Sequence, residues 1–131
     1  MIGLDTNVVI RYLVQDNAAQ ARKATRLMED TLTPDAPGFI NLTTLCEIVW
    51  VLKCNYQVSK PALVGIVDGL LTTKQLLVEE VAVAWKALRA YEVGSADFSD
   101  AVIACTNAAH GCDQTVTFDK QAAKLDDMRL L

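Results

Sequence analysis

The chain has 131 residues, of which 52% are hydrophobic, and carries a formal net charge of −4. That length suits a single domain over residues 1–131, able to bury roughly two thirds of its unfolded surface, and the acidic balance argues against broad electrostatic attraction to nucleic acid while leaving room for a site where metal ions carry the positive charge. No apolar run approaches the roughly 18 residues of a membrane span, and nothing resembles a signal peptide, so a cytoplasmic protein without membrane contact is expected.

Met1 to Asp5 reads as a short buried strand, followed by a helix over Val8 to Val14. Asn17 is placed to cap a second helix running to about Glu29, with Ala18, Ala21, Ala24, Thr25 and Met28 at helical spacing. A proline- and glycine-bearing loop over Thr33 to Gly38 leads to a strand at Phe39-Ile40 and then an apolar helix over Leu42 to Tyr56, with Thr43 or Thr44 as its cap. Ser59-Lys60-Pro61 opens a helix to about Leu71, Pro61 being tolerated in the first turn. Leu76 to Val78 is a third strand, Val81 to Tyr91 a helix, and Gly94 a break. Phe98 to Ala109 follows as a small-residue helix ended by Gly111, then a strand at Thr115 to Phe118 and a last one at Arg129 to Leu131. Strands alternating with helices predict an α/β fold, a three-layer α/β/α sandwich around a mainly parallel sheet of about five strands.

Cys46, Cys54, Cys105 and Cys112 lack CxxC spacing and His110 is the only histidine, which makes a zinc site a poor reading. The cysteines are expected as small buried hydrophobes in a reducing compartment.

The chemistry lies in four acids beside apolar runs: Asp5 after Ile2 to Leu4, Glu47 before Ile48 to Leu52, Asp100 before Ala101 to Cys105, and Asp119 after Val116 to Phe118. An unpaired carboxylate in such surroundings loses several kcal/mol of solvation unless it protonates, pairs or binds a metal. In a parallel α/β sheet the ligand crevice lies beyond the carboxyl ends of the strands. Asp5 and Asp119 fall there, and Asp100 falls in the first turn of a helix. Glu47, near the start of the helix after the second strand, can reach the same crevice. Clustered carboxylates suit Mg²⁺ or Mn²⁺, which polarise phosphodiesters and activate water.

The opening Ile2-Gly3-Leu4-Asp5-Thr6-Asn7-Val8, the central Glu47, the run Ala96-Asp97-Phe98-Ser99-Asp100-Ala101-Val102-Ile103-Ala104 and the closing Thr115-Val116-Thr117-Phe118-Asp119 resemble PIN-domain proteins, in particular the toxin nucleases of VapBC toxin–antitoxin systems. Each motif alone is weak, but the ordered set spans nearly the whole chain. The resemblance implies a Mg²⁺- or Mn²⁺-dependent endoribonuclease acting on single-stranded or structured RNA (tRNA, rRNA or mRNA), a homodimer and a cognate VapB-type antitoxin. It implies that Asp5, Glu47, Asp100 and Asp119 are metal ligands and that Asp97 is an additional catalytic acid. Thr6 and Asn7 would support the first ligand, and Thr117 would stand near the attacking water.

Arg11 and Lys120, close in sequence to two of these acids, are candidates for touching substrate. Arg22, Lys23 and Arg26 read either as a solvated helix face or as phosphate contacts. Trp50 and Trp85 read as core or partner contacts. Asp97 also reads as a plain helix N-cap, and Asp126-Asp127 as a solvated turn. Two rivals from other classes are a non-catalytic RNA-binding or scaffolding PIN domain and a signalling receiver domain. The receiver reading lacks its acidic pair after the first strand and its lysine after the last.

Overall fold

In the computed structural model, which describes every residue from Met1 to Leu131, strands of two or three residues feed directly into helices. The elements are β1 (Ile2–Gly3), α1 (Thr6–Val14), α2 (Ala18–Arg26), β2 (Gly38–Ile40), α3 (Leu42–Tyr56), α4 (Lys60–Thr72), β3 (Leu76–Val78), α5 (Val81–Val93), α6 (Phe98–Ala109), β4 (Thr115–Thr117) and β5 (Met128–Leu130). The fold is α/β and every strand pair is parallel. The five strands do not form one continuous ladder: β1, β2 and β3 form one sheet and β4 and β5 another. Strands this short fix the period of burial but not the partner, so alternation in the sequence reveals the type of sheet and not its division.

The chain divides into two compact units, Met1–Glu79 and Glu80–Leu131. In the first, the strand order is β1-β2-β3, with Gly38 opposite both Ile2 and Leu76. Burial alternates along the strands as the pleat requires: Gly38, Ile40, Leu76 and Val78 are buried, whereas Phe39 is half-buried and Leu77 exposed. Two crossovers that run the same way across a sheet, each right-handed, carry their helices to one face. Accordingly α1 packs on α2 and α3, α3 on α4, and α4 on β3. Ile40, Leu45, Ile48, Leu52, Leu63, Val9 and Val67 are the largest side chains fully withdrawn from solvent.

The helix starts are set by side chains that take up orphan amides. Asn17 accepts from Gln20 N–H at 3.0 Å, and Ser59 from Ala62 N–H at 3.4 Å. For α3 the cap is Asn41, which accepts from Thr44 N–H at 2.7 Å; neither Thr43 nor Thr44 serves. Glu79 adds a second partner at the same end, taking Leu42 N–H at 2.9 Å. The α helix after Asn17 stops at Arg26, and Leu27–Thr31 continues as a π-helical turn, Leu32 N–H bonding back to the Leu27 carbonyl.

In the second unit α5 packs along α6, and Tyr91 meets Phe98 edge to face with ring centroids 5.7 Å apart. A 3₁₀ turn at Ala122–Lys124 packs on β4 and β5. Asp127, in the turn before β5, has φ +64° and its carbonyl accepts from Thr115 N–H at 2.6 Å. All four cysteines are free thiols, and none is buried as expected: Cys46 and Cys105 are half-buried, Cys54 and Cys112 exposed. Trp50 is exposed rather than in the core, and Trp85 is half-buried.

Gly38 sits where β2 is pressed most tightly. A Cβ there would stand 2.8 Å from one methyl of Leu32 and 2.8 Å from one of Leu4, both buried residues. Gly38→Val is therefore expected to overpack this layer and destabilise the protein by about 1–3 kcal/mol, read as a lower urea midpoint; an unchanged midpoint would show that the two leucines can move aside.

Candidate metal centre

Leu4 ends the first strand, its N–H bonded to the Phe39 carbonyl at 2.9 Å, and the chain turns into α1 at Asp5. The carboxylate Oδ1 of Asp5 accepts from Thr6 N–H at 2.8 Å, while its carbonyl takes the N–H groups of Val8 and Val9. Asp5 thus caps the helix with one oxygen and keeps the other outside that bond. Thr6 is buried, and its hydroxyl donates to Glu47 Oε2 at 3.0 Å. Glu47, Val51 and Asn55 recur every fourth residue along α3 and face Thr6, Asn7 and Arg11 of α1 across a cleft of about 340 Å³ that Asp5 and Tyr56 also line.

Arg11 is held over this cleft by several partners. Its Nε donates to Gln20 Oε1 at 2.7 Å, its Nη1 lies 3.3 Å from Asp16 Oδ1, and the same nitrogen reaches the Tyr56 hydroxyl at 3.5 Å. The Tyr56 hydroxyl in turn donates to Asp16 Oδ2 at 2.7 Å. The sequence placed Arg11 near the first acid but gave no sign of Asp16 or Tyr56, which lie 40 residues apart. Asn55 was findable, since it lies two helical turns after Glu47 on the same face.

The second unit gathers the other acids. Asp97 occupies the N-cap position of α6, yet its side chain makes no capping bond. Asp100, one turn on, is half-buried, and burial first, then the charges of Asp119 and Asp97, raise its pKa above the ordinary carboxyl value. Asp119 follows β4 and is fixed by backbone donors: its Oδ1 accepts from Gln121 N–H at 2.8 Å and Ala122 N–H at 3.1 Å. Thr117 Oγ1 accepts from Asp119 N–H at 3.0 Å, so this threonine orients the acid. Lys120 is exposed and makes no ion pair.

The predicted residues therefore come together as two groups, Asp5 with Glu47 and Thr6 in the first unit, and Asp100 with Asp97, Asp119 and Thr117 in the second. No group of three or more His, Cys, Asp or Glu side chains is drawn tightly enough to hold a metal ion by itself. The donor chemistry nonetheless fits a hard divalent cation: the donors are carboxylate oxygens, and the charges of Asp119 and Asp97, which add to burial in raising Asp100, are what such a cation relieves.

The PIN domain family profile matches residues 2–128, and the chain belongs to that family. PIN domains are generally metal-dependent nucleases that bind RNA, so membership supports a nuclease-type function for this chain. No curated protein matches the sequence. No helix is long and apolar enough to cross a membrane.

Without divalent metal, Asp100 is a liability to the fold. A carboxyl whose folded pKa is raised leaves stability intact below its unfolded value, near about 4, and removes it as pH rises through the folded value. In EDTA, Asp100→Asn should therefore gain in melting temperature over the wild type as pH rises from about 4 through the folded-state value, and keep that gain above it. Parallel melting curves for the two proteins across that range would contradict this assignment.

Proposed function

We propose that this chain is a Mg²⁺- or Mn²⁺-dependent endoribonuclease acting as the toxin of a VapBC-type toxin–antitoxin pair, with residues 1–131 working as one nuclease domain. The observation that carries the reading is the PIN match over residues 2–128 with an acid at each position the motif set requires. Asp5, Glu47, Asp100 and Asp119 would hold the metal, and Asp97 would add negative charge beside Asp100. A bound divalent ion supplies the positive charge that lets water attack phosphorus at neutral pH.

The chain's own residues do the positioning. Thr6 fixes the rotamer of Glu47 through its hydroxyl, and its N–H pins one oxygen of Asp5. Backbone amides of Gln121 and Ala122 do the same for Asp119, so both strand-end acids present a second oxygen in a fixed direction. Preorganised ligands of this kind spare the cost of ordering them when the ion and substrate arrive. Asn7 lines the cleft beside Asp5, and Arg11 offers a guanidinium for a substrate phosphate. Lys120, next to Asp119, is a second such candidate. Thr117 completes the set as the residue that orients Asp119.

The wider expectations belong to the same reading: an RNA substrate, a homodimer, a cytoplasmic setting and a VapB-type antitoxin that blocks the acidic cleft. Support for them is the likeness of the Asp5-Thr6-Asn7 opening and the Asp97–Asp100 run to the toxin nucleases.

Purified protein with Mn²⁺ should cut RNA endonucleolytically, leaving 5′-phosphate and 3′-hydroxyl ends. Asp5→Asn and Asp100→Asn should each lower kcat/KM at least about 100-fold, equivalent to some 2.7 kcal/mol of transition-state stabilisation. Mn²⁺ should also raise the melting temperature of the wild type by ligand linkage. RNA binding without cutting would favour a scaffolding PIN domain. Cutting that survives both substitutions would remove these acids from the mechanism. For the toxin role, expression alone should arrest growth, and Asp100→Asn should relieve the arrest.

A further inference from the structure

A second cavity, of about 400 Å³, opens between α1 and α2 in the first unit. Asn7 and Arg11, one helical turn apart on α1, border both this cavity and the acidic cleft, so the two hollows share a wall. Val8, Ala24 and Leu27 give the cavity its apolar lining, and Gln20 and Lys23 of α2 add polar groups to it. Lys23 is exposed and tied to no carboxylate, whereas Arg11 is braced across the opening by Gln20 at 2.7 Å.

Two cations on one small hollow are notable in a chain of net charge −4. Their placement beside the acids is suited to a ligand that runs from one hollow into the other and carries negative charge at regular intervals. The volume lies within the roughly 300–1,000 Å³ of small-ligand sites and would accept one nucleotide. An apolar lining suits a base, an amide suits its polar edge, and a lysine suits a phosphate oxygen.

We infer that the cavity between α1 and α2 is a nucleotide subsite. It seats the RNA residue flanking the scissile phosphate, with Lys23 on that residue's phosphate, Gln20 at the base edge and Val8 with Leu27 beneath the base. The inference rests on the ribonuclease reading and adds to it a place where sequence preference is set. Arg22, exposed on the same helix but outside the cavity, supplies the control, because it carries the same charge.

The test measures binding of a fluorescein-labelled single-stranded oligoribonucleotide by anisotropy, in EDTA and over a salt series, for wild type, Lys23→Ala and Arg22→Ala. Lys23→Ala should weaken binding about 3- to 10-fold and lower the salt slope by about 0.7, the value of one phosphate contact on a single strand. Arg22→Ala should change affinity less than about twofold. With Mn²⁺ present, Gln20→Ala should redistribute the cut sites along a mixed-sequence RNA. Equal losses for the Lys23 and Arg22 variants would mean diffuse attraction only and overturn the subsite, as would a cleavage pattern indifferent to Gln20. A wild type that cuts RNA with no dependence on Lys23 or Gln20 fails the subsite alone. A wild type that neither binds nor cuts RNA fails the nuclease reading beneath it.

Discussion

Thr6 holds two carboxylates at once. Its N–H is taken by Asp5 at 2.8 Å, and its hydroxyl donates to Glu47, 41 residues further on, at 3.0 Å. Thr6 is buried at the head of α1 while both carboxylates are exposed, so the two bonds lie at the edge of the core and it is the threonine hydroxyl that would be costly to leave unpaired. Both bonds lie where the chain turns into α1 and tie that turn to α3, whose residues Glu47, Val51 and Asn55 line the cleft. A hydroxyl-free side chain of the same size would keep the helix and lose the tie between the acids.

The second unit solves a different problem. Here burial first, and then the charges of Asp119 and Asp97, raise the pKa of Asp100, and backbone amides rather than a cation restrain Asp119. Amide donors stabilise a carboxylate without cancelling its charge, so the residual field persists for a mobile counter-ion. In the first unit, by contrast, Arg11 is already engaged by Asp16, Gln20 and Tyr56. A cation so restrained remains available to an incoming phosphate without collapsing onto the carboxylates beside it.

Much of this was readable from residue order. Leu42–Tyr56, Leu76–Val78 and Phe98–Ala109 lie where the apolar periodicity places them, because each has clear polar or glycine punctuation at its ends. The cap of α3 was missed since Asn41 directly follows a buried strand, and two threonines offered a more familiar signal. The cysteines depart from expectation for another reason: a strongly apolar helix gives no indication of which stripe faces water, so Cys54 falls on the outside of α3, while Cys112 lies exposed in the loop beyond α6. The acids at Asp5, Glu47, Asp100 and Asp119 stand out in the sequence as charge beside apolar runs, but the fold exposes Asp5, Glu47 and Asp119 and half-buries only Asp100, so the expected desolvation falls on that one acid. The brace on Arg11 does not stand out, since Asp16 and Tyr56 are ordinary residues until the fold brings them together.

The π-helical turn at Leu27–Thr31 has a bearing on how this chain tolerates length changes. Such turns accommodate one more residue than regular α pitch allows. Here the wider loop lets Leu27 face the α1–α2 hollow while Leu32, five residues on, reaches the flank of Gly38. Removing a single amino acid from the turn would convert the Leu32-to-Leu27 bond to ordinary α pitch and leave both leucines near their places, whereas the same deletion within α2 would swing everything after it by about 100°. The turn is thus a place where the chain can lose one residue without disturbing the hollow that Leu27 lines.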